Sequence, residues 1–144
     1  MTITFTIAGK PFGKQRPRVA KFGTHARVYT PKETVSFERT VGQVALPHFP
    51  SPMSGPVKLT MIAVFQPADS WSGKRKRDAL GRPHTQKPDL DNCLKAIKDG
   101  LNRIAWGDDA QVAEVAVRKV WGETECTIIT IEPLMTLHLR GQIT

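Results

Sequence analysis

The chain of 144 residues has room for one domain that buries its own core without a metal or disulfide staple. Its 40% hydrophobic and 24% charged residues are typical of a globular protein, which argues against disorder. The 21 Lys and Arg residues outnumber the 13 Asp and Glu residues, and the net charge of +8 indicates a polyanionic partner, nucleic acid before membrane.

Three elements are predicted in the first half of the chain. Thr2 to Ile7 alternates polar and apolar residues, which predicts a half-buried strand. A helix follows, with Thr30 as its N-cap and Pro31 at its first helical position, and it should run to about Ala45. The run Val57 to Phe65 is rich in β-branched residues and predicts a central strand.

The second half predicts a helix and two strands after a long basic loop over 67–88. A core stripe at helical spacing predicts the helix, formed by Leu90, Leu94, Ile97 and Leu101. Strands are expected over 112–121 and 126–131, joined by a hairpin turn at 122–124, and the tail 133–144 has little pattern. The order β-α-β-α-β-β predicts a single α+β domain over 1–144, with helices on one face of a mixed sheet.

Two features bear on location. Cys93 and Cys126 are far apart and lack neighbours at zinc-ligand spacing, so a disulfide framework and a zinc site are both unexpected. The start of the chain does not resemble a signal peptide, and no apolar stretch approaches the length of a membrane span. We expect a soluble, cytoplasmic protein without membrane contact.

The charge is unevenly distributed along the chain. Residues 1–88 hold 15 basic and 4 acidic side chains, a net of +11, whereas residues 89–144 hold 6 basic and 9 acidic ones, a net of −3. The basic side chains concentrate in two Gly- and Pro-rich segments, about 9–30 and 67–88, which we interpret as loops. Loops of this kind can follow a phosphate backbone. The alternative is a flexible, solvated loop or a localisation signal.

Asp89 and Asp91 form the strongest local feature with chemical meaning. Asp89 follows Pro88 at the predicted helix cap, and Asp91 lies one helical turn before Lys95, on the same flank. Two carboxylates this close are costly without a cation, and Mg²⁺ binds one or two carboxylates while water or phosphate oxygens complete its shell. The alternative is an ordinary helix start, with an N-cap, an N2 acid and an i,i+4 ion pair.

A second acidic pair, Asp108-Asp109, follows Trp106-Gly107 between this helix and the next strand. Gly-Asp-Asp is also a common turn composition. If the strand passes beside the helix start, however, three carboxylates from two elements could meet. In a chain that is otherwise strongly basic, such a group is typical of a metal-dependent phosphodiesterase.

At these residues the sequence resembles the RusA family of Holliday-junction resolvases, small homodimeric endonucleases of bacteria and their phages. The family signature D-x-D-N-x-x-K corresponds to 89–95, and W-x-D-D-x-Q corresponds to 106–111. The segments 14–18 and 28–31 also resemble the amino-terminal region of the family. The resemblance extends from about residue 3 to residue 132.

The resemblance implies a role for each matching residue. Asp89, Asp91 and Asp109 would hold Mg²⁺, with Mn²⁺ as a substitute, and Lys95 would be the essential lysine. Asp108 would be an auxiliary acid and Asn92 a supporting residue. The family further implies a homodimer that binds four-way junctions and makes paired symmetric nicks, without a small-molecule cofactor. For DNA contact we expect the basic side chains Lys14, Arg16, Arg18, Lys74, Arg75, Lys76, Arg77 and Lys87.

Two other functions remain open on the sequence. One is a different metal-dependent nuclease, with P-D followed by E-x-K, that acts on duplex DNA; Pro88-Asp89 supplies only its first half. The other is a junction-binding protein without catalysis. Trp71 could stack on a base or pack within the protein, Trp106 and Trp121 are expected in the core, and the four histidines are expected in surface or loop positions.

Overall fold

A computed structural model describes residues 1–139 of the chain. It contains six strands, three α-helices and two single 3₁₀ turns. In chain order the elements are β1 (Ile3–Ala8), β2 (Arg18–Phe22), β3 (His25–Tyr29), α1 (Lys32–Ala45), the turn Leu46–His48, β4 (Val57–Phe65), α2 (Gly73–Ala79), α3 (Leu90–Leu101), the turn Asp109–Gln111, β5 (Val112–Trp121) and β6 (Cys126–Pro133).

Four strands form one mixed sheet in the order β1-β6-β4-β5. Strands β4 and β5 are parallel, whereas β6 is antiparallel to both β1 and β4. Alternate residues of β4 are fully buried, from Val57 to Phe65, while those between them are partly exposed. One face of the sheet therefore carries the core, as an alternating strand requires.

Helices α1 and α3 cover that core face and cross each other closely. Val41 and Ala45 of α1, together with Ile97 and Leu101 of α3, join the same buried cluster as the sheet residues. At Gly100 the helices are so close that a Cβ would lie 2.7 Å from the Cβ of Val41. The predicted α+β class, with helices on one face of a mixed sheet, is confirmed.

The predicted hairpin between β5 and β6 is wrong, because β4 lies between these two strands. The connection crosses the end of β4, where the Gly122 N–H donates to the Phe65 carbonyl over 2.9 Å. A Cβ at Gly122 would lie 2.4 Å from Val64 Cγ1, so only glycine fits this crossing. Four extended residues span about 13 Å, more than the about 10 Å across one intervening strand.

The two segments interpreted as loops contain regular structure. The first holds the β2–β3 hairpin, and the second holds the short helix α2. Helix α2 begins after Ser72, whose hydroxyl accepts the Arg75 N–H over 3.1 Å. The prediction failed because flanking Gly and Pro residues dominated the pattern of elements only five to seven residues long.

Three smaller predictions also need correction. Helix α1 is preceded by Pro31 as the N-cap rather than by Thr30, and no side chain caps it. Leu90 is exposed, because it opens the first turn of α3 outside the core, and Leu94 is only partly buried. The buried face of α3 is formed instead by Cys93, Ala96, Ile97, Gly100 and Leu101.

The remaining predictions about the chain ends and the membrane are tested only in part. After β6 the residues up to 139 have no helix or strand, and the rest of the tail, 140–144, lies outside the described range. Among the helices of residues 1–139, none combines the length and the apolar character that crossing a bilayer would need.

Candidate active site

The first turn of α3 presents the two carboxylates of the D-x-D motif to solvent. Asp89 occupies the N-cap position with an extended backbone, and Asp91 lies in the first turn. Both residues are exposed. Within residues 1–139 neither carboxylate accepts a hydrogen bond or joins an ion pair, so the ordinary i,i+4 pair of Asp91 with Lys95 does not form.

Lys95 pairs with Asp99 instead, toward the other end of the same helix. Its Nζ lies 3.0 Å from Asp99 Oδ1, and its side chain keeps 57% of its surface exposed. The second oxygen of Asp99 accepts from Lys14 Nζ, which also lies 3.0 Å from Glu38 Oε1. Asp99 thus holds two ammonium groups, one from α3 and one from the amino-terminal segment.

This network is partly buried, and it shifts the pKa values of Asp99 and Lys14. Burial by itself would raise the pKa of the Asp99 carboxyl, but hydrogen bonds from Lys14 and Lys95 bring it below its ordinary value. Burial would likewise lower the pKa of the Lys14 ammonium, whereas its bonds to Asp99 and Glu38 raise it. Sequence reasoning missed Asp99, although its i,i+4 spacing from Lys95 was a usable signal.

The amino-terminal segment reaches α3 through backbone contacts near the acidic motif. The Lys14 N–H donates to the Asn92 carbonyl over 3.0 Å. Gln15 is tied to buried Thr34 of α1, whose hydroxyl accepts the Gln15 N–H and donates to Gln15 Oε1. These contacts place Lys14 in an ion-pair network rather than in solvent, and its predicted contact with DNA remains a prediction.

The W-x-D-D-x-Q motif forms a turn whose side chains hold one another. Trp106 is fully buried, and its indole N–H donates to Asp109 Oδ1 over 2.8 Å. Gln111 Oε1 accepts the backbone N–H groups of Gly107 and Asp108, and its amide donates to the carbonyls of Met53 and Gly55. Asp108 remains exposed. As the N-cap of the turn, Asp108 forms a capping box with Gln111. Each named position of the motif therefore has a structural reason for its residue type.

The predicted carboxylates suit a metal ion as a pair rather than as a group of three. Within residues 1–139, no three His, Cys, Asp or Glu side chains lie close enough together to hold one. The predicted set of Asp89, Asp91 and Asp109 is therefore not a preassembled three-carboxylate site, and one oxygen of Asp109 is already bonded to Trp106. The exposed pair on α3 still suits Mg²⁺ in its chemistry, since this ion needs only one or two carboxylates.

Most basic side chains of the segment 67–88 are exposed, and one of them packs on a tryptophan ring. Most of its predicted DNA contacts are exposed, namely Lys74, Arg75, Arg77 and Lys87, whereas Lys76 is partly buried. The Arg75 guanidinium lies 3.8 Å from the ring centre of Trp71, whose own ring is 5.0 Å from that of Trp121. Trp71 is therefore packed within the protein, which favours the second of its two predicted roles.

His84 lies in the loop between α2 and α3, as predicted, but it is buried rather than at the surface. Its ring stacks on Phe65 at 3.9 Å and lies 4.4 Å from Trp121. Burial, aided by the nearby Lys119, lowers the pKa of His84 below its ordinary value. In this position the imidazole packs between aromatic rings. The spacing of histidines in the sequence did not indicate that His84 would be buried.

Two comparisons with known proteins bear on the family of the chain. The family model described as Endodeoxyribonuclease RusA matches residues 8–132. A protein of Bacillus subtilis (strain 168), described as uncharacterized protein YqaN, is 36% identical over 128 residues, which cover 84% of this chain and 89% of that protein. The match confirms the resemblance drawn from the two acidic motifs. The chain therefore belongs to the RusA family of endodeoxyribonucleases, a family that acts on Holliday junctions.

Proposed function

We propose that this endodeoxyribonuclease resolves four-way DNA junctions by magnesium-dependent, paired symmetric nicks, with one active site in each subunit of a homodimer. The observation that carries the proposal is the pair of exposed carboxylates at the start of α3, one turn before the lysine that Asp99 holds. Symmetric nicks in two strands need two sites related by a two-fold axis, and a closed dimer supplies them.

Asp89 and Asp91 would hold the metal, with Asp109 as a third ligand. Two exposed carboxylates one residue apart repel each other, and within residues 1–139 no lysine or arginine side chain neutralises them. When bound there, Mg²⁺ would polarise the scissile phosphate and lower the pKa of a bound water. For Asp109 to join, its carboxylate must approach α3 while Trp106 keeps one of its oxygens.

Lys95 would stabilise the negative charge that develops on the phosphate during cleavage. An ammonium is a compact charge with three donors, and only one of them is needed for Asp99. Its exposed position leaves the other donors free to reach non-bridging oxygens. Asn92 and Asp108 remain supporting residues in this proposal.

The test is nicking of a synthetic four-way junction, compared with a linear duplex of the same arm sequence, with and without Mg²⁺. Asp91→Asn should abolish nicking while junction binding persists or tightens, because the change removes one metal ligand and one repulsive charge. Asp69→Asn is the matched control, an exposed acid outside the described ion pairs, and should nick at the wild-type rate.

Each alternative function has its own outcome in this assay. Full nicking activity of the Asp91→Asn variant would show that Asp91 is not a metal ligand. Equal cutting of linear duplex would favour a different metal-dependent nuclease. Binding to the junction without nicking under any divalent cation would favour a non-catalytic junction-binding protein.

A further inference from the structure

The β2–β3 hairpin stands apart from the domain. All of its strand residues are exposed except Ala20, which is partly exposed, and none belongs to the buried core. An isolated two-stranded hairpin is marginally stable in water, and large exposed apolar side chains add to its need for a partner. The hairpin therefore has the properties of a binding surface.

The pairing register divides the hairpin into two chemically different faces. Residues directly opposite each other in an antiparallel pair lie on the same face. The cationic–aromatic face consists of the pairs Arg18 with Tyr29, Ala20 with Arg27, and Phe22 with His25. The opposite face carries Val19 with Val28 and Lys21 with Ala26. Phe22 lies next to the turn and is 66% exposed.

The base of the hairpin is fixed beside the acidic motif. Lys14 bonds to the backbone of Asn92, which is three residues after Asp89, and Gln15 bonds to Thr34 at the start of α1. Two five-residue strands extend about 17 Å from this anchor. A long substrate at Asp89 and Asp91 is therefore within reach of the hairpin.

The charge of the hairpin favours DNA over a second copy of the chain. Residues 1–30 contain no acidic side chain, so two such hairpins facing each other would bring cations together. A phosphate backbone accepts these cations, and exposed aromatic rings stack on bases that have lost a neighbour. Phosphates and bases that lack a stacking neighbour occur together at the centre of a branched DNA, because base pairing ends at the branch point.

We infer that the cationic–aromatic face of the β2–β3 hairpin binds the branch of the DNA held at the active site. Arg18 and Arg27 contact phosphates, and Phe22 stacks on an unstacked base or inserts at the branch as an apolar wedge. This inference rests on the proposed function for the identity of the DNA, and it adds the part of the protein that recognises the branch.

The experiment uses a four-way junction with 2-aminopurine at the branch point, bound in EDTA so that no strand is cut. Wild-type protein should raise the fluorescence, because the base loses its stacking neighbour. Phe22→Ala should abolish most of that rise and weaken binding by roughly 5- to 150-fold, the range for loss of one stacked base. Val19→Ala on the opposite face is the matched control, since its side chain is 60% exposed, and it should behave as wild type.

The outcomes separate this inference from the proposed function. A rise with Phe22→Ala that equals the wild-type rise overturns the inference, and so does an equal loss with Val19→Ala. A change of oligomeric state in both variants, measured by light scattering, also overturns it in favour of a protein interface. The protein could also unstack the branch point in a way that depends on Phe22 and yet nick no DNA with Mg²⁺. That result would support DNA binding by the hairpin and reject the nuclease mechanism. Failure of the wild type to bind the junction rejects both.

Discussion

Asp99 receives an ammonium on each of its two carboxylate oxygens, from Lys14 and from Lys95. This geometry restricts a flexible lysine that would otherwise sample many rotamers in solvent. A charge held in advance stabilises a transition state without reorganising during the reaction. In the proposed mechanism Asp99 is therefore a positioning residue, which would act on the substrate only through Lys95.

Asp99→Asn should reduce kcat by about 10- to 100-fold and leave KM nearly unchanged, because Lys95 keeps its charge and loses its position. Steady-state nicking of the four-way junction measures both constants. Asp99→Glu should restore part of kcat, since it returns the negative charge on a longer side chain. Asp78→Asn is the control, an exposed acid of α2. A rise of KM alone would show that Asp99 supports substrate binding rather than the position of Lys95.

Helices α1 and α3 cross closely, and this crossing places α3, the helix of the D-x-D motif, on the sheet. A Cβ at Gly100 would meet the Val41 Cβ at 2.7 Å and the Glu38 carbonyl oxygen at 3.1 Å. Both neighbours belong to α1 and cannot turn away as the end of a flexible side chain could. Glu38 of α1 also pairs with Lys14, so the helix that packs against Gly100 holds one member of the ion-pair network.

Gly100→Ala should lower the free energy of unfolding by about 1–3 kcal/mol, even though alanine favours a helix, because overpacking forces α1 and α3 apart. Urea denaturation followed by circular dichroism measures the change. Gly73→Ala in α2 is the matched control, since its new Cβ would meet only the guanidinium end of Arg77 at 3.1 Å. An unfolding midpoint for Gly100→Ala equal to that of the wild type would show that the crossing can relax.

The whole molecule separates its charge by region, with +11 in residues 1–88 and −3 in residues 89–144. The basic half supplies the hairpin and α2, and the acidic half supplies the carboxylates of α3 and of the W-x-D-D-x-Q turn. Lysine and arginine side chains that contact phosphates displace condensed counterions, so their number determines how steeply DNA affinity falls with salt.

The double variant Lys74→Ala, Arg77→Ala should reduce the slope of log affinity against log salt by up to about 2, because each lost phosphate contact removes about 0.9. Junction binding in EDTA over a series of salt concentrations gives the slope. Lys98→Ala, a lysine of α3 in the acidic half, should leave the slope unchanged. If the double variant keeps the wild-type slope, α2 does not contact the DNA backbone.

Local patterns in the sequence were sufficient to predict several elements and to identify the two acidic motifs. Residues Val57 to Phe65 form a strand with the predicted bounds, and α3 spans the stripe from Leu90 to Leu101 that predicted a helix. The two acidic motifs were identifiable because their residue types are close in the chain. Leu90 was misjudged because helical spacing gives a direction around the axis and not the distance to the sheet.

The sequence by itself determined the elements of the main sheet, the charge division and the family, all of which depend on residues near one another in the chain or on composition. Only the tertiary structure decided that β4 separates β5 from β6, that Lys14 reaches Asp99 across 85 positions, and that a cationic–aromatic hairpin stands beside α3. The physical reason is that strand order and distant ion pairs follow from which apolar faces are buried together, and that choice is made by the whole chain rather than by any local segment.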